Sequence, residues 1–346
     1  MPAELPRFLK ACRRQAVDAT PVWFMRQAGR YLPEYRALRQ KHTLLELCHT
    51  PDLAAAITLQ PIRRFAVDAA ILFADILLPF EPLGLGLSFA AGEGPQIARP
   101  LRDAAAVRAL PALDPEESLG DVLAAARLVA AELPPHVPLI GFAGAPFTLA
   151  SYAIEGGPSK SFVRTKSLMH QTPDTWHLLL DRFADLTGRY LAAQARAGAR
   201  ALQLFDSWAG YLSPAEYRDY VLPHSRKALA LAAAAGGGGG VPVIHFGTGT
   251  GPFLEDFAAA GGDVVGVDWR VPLDAAWRRL RNGQAIQGNL DPAALLAPRE
   301  VLRRQVREVL DLAGGRPGHV FNLGHGIVPE TAPDAVAFVV ELVHGG

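Results

Sequence analysis

The stretch Phe24-Met25-Arg26-Gln27-Ala28-Gly29-Arg30-Tyr31-Leu32-Pro33-Glu34-Tyr35-Arg36-Ala37-Leu38-Arg39 sets four arginines against one carboxylate, directly after the apolar run Pro21-Val22-Trp23. Arginine carries a permanent charge on a fixed fork of donors, so it grips carboxylate or phosphate in a set orientation; lysine supplies only a mobile point charge. Gly29 would let backbone N–H groups approach such an anion. The plainer alternative is a surface loop whose arginines pair with neighbouring carboxylates. Arg26 and Arg30 argue against it because they sit hard against a strand-like run.

A second chemical residue is Asp75, which interrupts the apolar run from Ala69 to Phe80. An unpaired carboxylate buried there would cost several kcal/mol, so something must compensate it. The partner is either an arginine such as Arg26, in a structural ion pair, or a ligand bearing N–H groups or positive charge. The turn from Gly141 to Tyr152 is built of small residues and leaves room for a large flat ligand. Tyr152 can hydrogen-bond to it or pack half-buried on a helix face. His325, flanked by Gly324 and Gly326, is sterically open and can meet a carboxylate as imidazolium or as a neutral donor. Gly247-Thr248-Gly249-Thr250-Gly251 could cradle a phosphate, although its spacing matches neither the Walker A nor the dinucleotide pattern.

These groups can act together only if the chain brings them to one place. Short apolar runs bounded by turn residues recur at 21–25, 69–74, 137–143, 201–205, 241–246, 263–267, 285–288 and 319–323. Helical segments lie between them: Asp114–Leu133, Ser159–Ala197, Ser213–Ala235, Pro252–Ala260, Leu273–Arg281 and Arg299–Leu312. Ser213-Pro214-Ala215-Glu216 carries a capping box with proline at the first helical position. Alternating strand and helix implies a parallel sheet. Eight such units favour a single (β/α)8 TIM-type barrel spanning 1–346, with insertions and a deep cleft at the C-terminal strand ends, over an open doubly wound sheet. Pro82 to Pro100 reads as a hairpin excursion after the second strand. Gly236 to Gly240 reads as a flexible connection on the opposite, noncatalytic face. In a barrel, the residues just past each run converge on one mouth: Arg26, Asp75, Gly144, Asp206 with Ser207, His245, Asp268, Asn289 with Asp291, and Asn322 with His325. Caps and turns also demand polar residues, so part of this set is expected to be structural.

Composition narrows the classes. Of 346 residues half are apolar, and 34 basic side chains balance 34 acidic ones, so no long-range field favours nucleic acid or anionic lipid. The segment MPAELPRFLKACRRQ lacks an uninterrupted apolar core, which predicts a cytoplasmic protein without a signal peptide. Ala228 to Ile244 is uncharged but too weakly apolar to span a membrane. Cys12 and Cys48 form no Cys-x-x-Cys, so neither a disulfide framework nor a thiolate zinc site is expected.

Three segments together, Met25 to Glu34, Gly141 to Tyr152 and Asn322 to Ile327, resemble the signature segments of the uroporphyrinogen decarboxylase family, in matching order along nearly the whole chain. The resemblance implies a homodimeric (β/α)8 barrel that removes carbon dioxide from the four acetate side chains of uroporphyrinogen III, giving coproporphyrinogen III, with no metal or organic cofactor. Carried over by motif, Arg26, Gln27, Ala28, Gly29 and Arg30 would face the substrate carboxylates. Asp75 would sit at the centre of the macrocycle, and Tyr152, Ser207 and His325 would line the cleft around it. Asp75, Arg26 and Tyr152 are the catalytic candidates. Two rivals remain. A related barrel methyltransferase that uses zinc would need a His-x-Cys after strand five and a later cysteine; His245-Phe246-Gly247 lacks the first, and neither cysteine lies in the C-terminal half. A noncatalytic porphyrin binder would keep cations and stacking residues but would not require Asp75.

Overall fold

The computed structural model describes residues 4–90, 94–234, 240–280 and 283–345. Seven parallel strands run in sequential order: β1 (Ala70–Ile71), β4 (Leu139–Gly144), β5 (Ala201–Asp206), β6 (Val243–Gly247), β7 (Val264–Gly266), β8 (Ala285–Leu290) and β9 (His319–Leu323). The insertion after β1 is an antiparallel hairpin, β2 (Leu87–Ala90) with β3 (Gly94–Ile97), as the turn residues between Pro82 and Pro100 predicted.

The eighth position is filled by residues 21–25. Phe321 N–H donates to Pro21 O (2.8 Å) and Trp23 N–H to Phe321 O (3.4 Å), while on the other side Asp68 N–H donates to Val22 O (2.8 Å). The expected first strand therefore joins the last strand to the first, but with a single bridge, Val22 to Phe321. Side chains take the donors that a longer ladder would need: Val22 N–H binds Asp68 Oδ2 (2.7 Å), Phe24 N–H binds Gln27 Oε1 (3.0 Å) and Met25 N–H binds Asn322 Oδ1 (3.1 Å). β1 is shorter than its apolar run for the same reason, since Phe73 N–H is captured by Thr58 Oγ1 (2.9 Å).

Alternation along the strands divides the core in two. Ile140, Ala201, Ile244, Phe246, Val264, Ala285 and Val320 point into the barrel, closed below by Phe8, Leu9 and Cys12 of the helix Arg7–Cys12. Leu139, Leu202, Leu204, Val243, Val265, Ile286 and Phe321 face the helical layer. A polar relay crosses the barrel interior, from Trp23 Nε1 to Gln287 Oε1 (3.0 Å) and from Gln287 Nε2 to Gln203 Oε1 (3.0 Å); buried amides and indole are tolerated there because they bond to one another.

Proline and glycine break helices that periodicity alone had run together. Ser159–Ala197 becomes Val163–Gln171 and Pro173–Arg196, and Asp114–Leu133 becomes Pro115–Ser118 and Gly120–Glu132. The Ser213–Glu216 capping box forms in both directions, at 3.2 and 2.8 Å. The expected flexible connection at 236–239 lies outside the described residues. Among those described, no helix is long and apolar enough to cross a membrane.

Candidate active site

The C-terminal strand ends open into a cleft of about 1220 Å3. Its floor is apolar, formed by Ile71, Phe142, Phe205, Phe246 and Ile327. The three phenylalanines make an edge-to-face chain with centroids 5.6 and 5.7 Å apart. They are the last inward side chains of β4, β5 and β6. Strand alternation read to its end would have identified them, but attention to polar residues alone passed over them.

The arginine turn forms one wall. Its shape comes from Gln27, whose buried side chain donates to Ala69 O (3.0 Å) and accepts Phe24 N–H (3.0 Å), while Tyr31 O–H donates to Gln27 O (2.8 Å). The expectation that Gln27 faces substrate is therefore corrected for its side chain, which is fully engaged by backbone on the core side and absent from the cleft lining. Ala28, Gly29, Arg26 and Arg30 do line the cleft. Arg26 sits at φ +61°, a left-handed conformation uncommon for a side-chain-bearing residue. Gly29 permits it, because a Cβ there would come within 2.8 Å of Arg26 O. Gly326 leaves the room through which the Arg26 side chain passes. Arg36 has a supporting role, donating to Arg30 O and Tyr31 O (3.1 and 2.9 Å). Arg39 and Lys41 join the cleft wall as further cations.

Asp75 opposes this wall. Its carboxylate accepts Leu77 N–H (2.8 Å), and among the described residues it makes no ion pair. Burial pushes its carboxyl above the usual range, while Leu77 N–H and the charge of Arg26 pull it back. Of the two partners left open by the sequence, a close structural ion pair with Arg26 is not what the protein forms, so the carboxylate remains available to a ligand.

Tyr152 projects from the helix Pro146–Glu155 and stacks on Trp208, centroids 3.8 Å apart and planes 28° apart. Burial and then Asp75 push its phenol up to about 12, against Arg26, so it stays a protonated donor at neutral pH. Ser207 follows β5 and lines the cleft, its carbonyl accepting the Thr248 hydroxyl. His325 lines the opposite side and its ring is pushed down to about 4, by burial first and then by Arg26 and Arg270, against Asp268. Of the two forms open to His325, burial and the two arginines favour the neutral, hydrogen-bonding ring.

The other strand-end residues do not line the cleft. Asp206 and His245 face the helical layer; His245 stacks on Phe257 at 3.7 Å. Asp268 accepts Gly249 N–H (2.7 Å) and pairs with Arg270, so a carboxylate already sits against the glycine loop and opposes an anion there. Asn289 donates to Asp268 O and Val271 O, and Asp291 caps the turn Pro292–Leu296. Asn322 Oδ1 holds Met25 N–H, anchoring the arginine turn to the last strand. Cys12 and Cys48 are buried free thiols.

The family model for uroporphyrinogen decarboxylase matches residues 4–346. The chain is 58% identical over 338 residues to a uroporphyrinogen decarboxylase of Sorangium cellulosum, covering 98% of this chain and 95% of that protein. It is 55% identical over 337 residues to one of Carboxydothermus hydrogenoformans, covering 97% and 95%. Among solved structures, a methyltransferase from Methanosarcina mazei superposes with a TM-score of 0.82 over 98% of both chains at 19% identity, which supports the barrel fold and nothing about chemistry. By its match over almost its whole length, the chain belongs to the uroporphyrinogen decarboxylase family.

Proposed function

We propose that the chain is a carboxy-lyase that converts uroporphyrinogen III to coproporphyrinogen III by removing carbon dioxide from four acetate side chains, without a metal or organic cofactor. It acts as one catalytic barrel, assembled as a cytoplasmic homodimer. The observation that carries this reading is the opposition of an unpaired Asp75 carboxylate to Arg26 and Arg30 across an aromatic-floored cleft. Uroporphyrinogen has eight carboxylates on its rim and four pyrrole N–H groups that can point to one centre. Arg26, Arg30, Arg39 and Lys41 suit the rim, and Asp75 suits the centre. Charge-assisted hydrogen bonds of roughly 1.5 to 3 kcal/mol each make a few such contacts sufficient for tight binding.

Decarboxylation needs a place for the electrons of the broken C–C bond. Protonation of the pyrrole α-carbon creates an iminium cation conjugated to the acetate. Loss of carbon dioxide then returns the electron pair to nitrogen and leaves an exocyclic methylene. Protonation of that methylene gives the methyl group, and release of the first proton restores the pyrrole. Asp75, fixed beside the ring nitrogens in a low-dielectric cleft, stabilises the cation more than the neutral substrate. Arg26, with its fork of donors, and Tyr152, a weak acid, hold the reacting carboxylate and the proton path.

The test is anaerobic incubation of the purified chain with uroporphyrinogen, with metals chelated and no cofactor added. Coproporphyrinogen and carbon dioxide should form catalytically; stoichiometric binding without carbon dioxide would support the noncatalytic porphyrin binder instead.

A further inference from the structure

Asp206 and Thr148 are both completely buried, and neither lines the cleft. Thr148 Oγ1 donates to Asp206 Oδ1 at 2.8 Å and accepts Trp208 N–H at 3.4 Å. The other carboxyl oxygen of Asp206 has no partner among the described residues. Burial pushes this carboxyl up to about 7, with the Thr148 hydroxyl opposing. A half-satisfied buried carboxyl is an expensive way to join a helix to a strand, and an apolar pair would do so at less cost.

The location explains what the pair achieves. Thr148 and Tyr152 are four residues apart on the helix Pro146–Glu155 and so share a face. Asp206 ends β5, and Trp208 follows two residues later. The same helix and the same strand end are therefore joined by two rungs, the hydrogen bond Thr148–Asp206 below and the stack Tyr152–Trp208 above. Trp208 N–H, the Thr148 hydroxyl and the Asp206 carboxyl form a directional chain, each bond polarising the next. The lower rung sets how far the helix can slide or roll against β5, and hence where the Tyr152 phenol and Ser207 stand in the cleft.

We propose that Thr148 and Asp206 are positioning residues, which never touch the substrate but hold the Tyr152–Trp208 stack and Ser207 in register for the decarboxylation. The proposal rests on the functional reading above for its kinetic arm and on spectroscopy alone for its structural arm. In the full-length chain, Thr148→Val removes the relay at nearly constant volume, and Thr148→Ser keeps it. Near-ultraviolet circular dichroism should show the Tyr152–Trp208 signal reduced in Thr148→Val, retained in Thr148→Ser, and insensitive to Thr148→Val once Trp208 is replaced by Phe. Kinetically, Thr148→Val should lower kcat about tenfold with KM little changed, as expected for a misplaced reacting group. In a Tyr152→Phe background the same change should cost less than about twofold, because the group it positions is gone. An unaltered aromatic signal in Thr148→Val, or equal kinetic losses in both backgrounds, overturns the proposal. If the parent chain releases no carbon dioxide, the functional reading fails and the spectroscopic arm alone decides the pair.

Discussion

A Cβ built on Gly326 would lie 2.4 Å from Cδ of Arg26 and 3.0 Å from its Nε, so the arginine side chain crosses the cleft wall through space that only glycine leaves. Gly326 is not in the left-handed region, and alanine is therefore acceptable to its backbone. Gly326→Ala should leave the melting temperature nearly unchanged while lowering kcat/KM by about tenfold or more, since sub-ångström to ångström misplacement at a site carries that scale of penalty. Thermal melts alongside steady-state kinetics check this; an unaffected kcat/KM would show that Arg26 need not lie where it does.

Asp75→Asn keeps the shape and the acceptor for Leu77 N–H but removes the charge opposite the developing cation. Turnover should fall by about 100-fold or more, the scale of losing one electrostatic contact to a transition state. Stability should hold or rise, because a desolvated carboxyl becomes neutral. Near-normal turnover would remove Asp75 from the mechanism.

Arg26→Lys preserves charge and loses the two-pronged donor geometry, so kcat/KM should drop by about tenfold or more. Arg26→Gln gives a second signature. Arg26 holds the Asp75 carboxyl down, and the reaction needs that carboxyl ionised, so activity is lost as pH falls through its titration. Without Arg26 that titration moves up, and the acid limb of the kcat/KM profile should shift to higher pH. A limb that stays put would detach the two residues electrostatically.

His245 is fully buried and stacks on Phe257, and burial pushes it from 6.5 down to about 3, against the opposing Phe257 backbone. Unfolding lets it take a proton, so its contribution to stability is complete above pH 6.5 and is lost as pH falls from 6.5 toward 3. At pH 5 that loss is about 2 kcal/mol. Asp206, pushed up to about 7, contributes with the opposite sign over the same range, so the comparison must be between variant and parent. Urea midpoints for His245→Phe should gain on the parent at pH 5 relative to pH 7.5; equal differences at both pH values would refute the assignment.

Much of the fold was legible because each strand of the barrel is a short apolar run ended by turn residues, and β9 was found to the residue at His319–Leu323. The strand at 21–25 was located but not its weak ladder, since nothing local announces that Asp68, Gln27 and Asn322, distant in sequence in two cases, will take its donors. In the site, Arg26, Arg30, Asp75, Tyr152, Ser207 and His325 come together around the cleft. The direction of the Gln27 side chain was not legible, because a motif is contiguous in sequence whereas the turn it forms sends neighbouring side chains to opposite sides. The charge state of His325 also escaped, because desolvation and two arginines from separate loops set it.

The backbone bonds that join Pro21 and Trp23 to Phe321, and Met25 to Ile327, couple residues some three hundred positions apart at the heart of the cleft. The arginine turn precedes β1 to β9 along the chain, yet the strand it bonds to, β9, is the last of the series, and the glycine that makes space for Arg26 lies beyond it. That wall of the cleft therefore takes shape only when the two ends of the strand series have met. Such a closure pairs residues of high sequence separation, a kind of contact whose loop entropy must be met before the contact is rewarded and which slows folding.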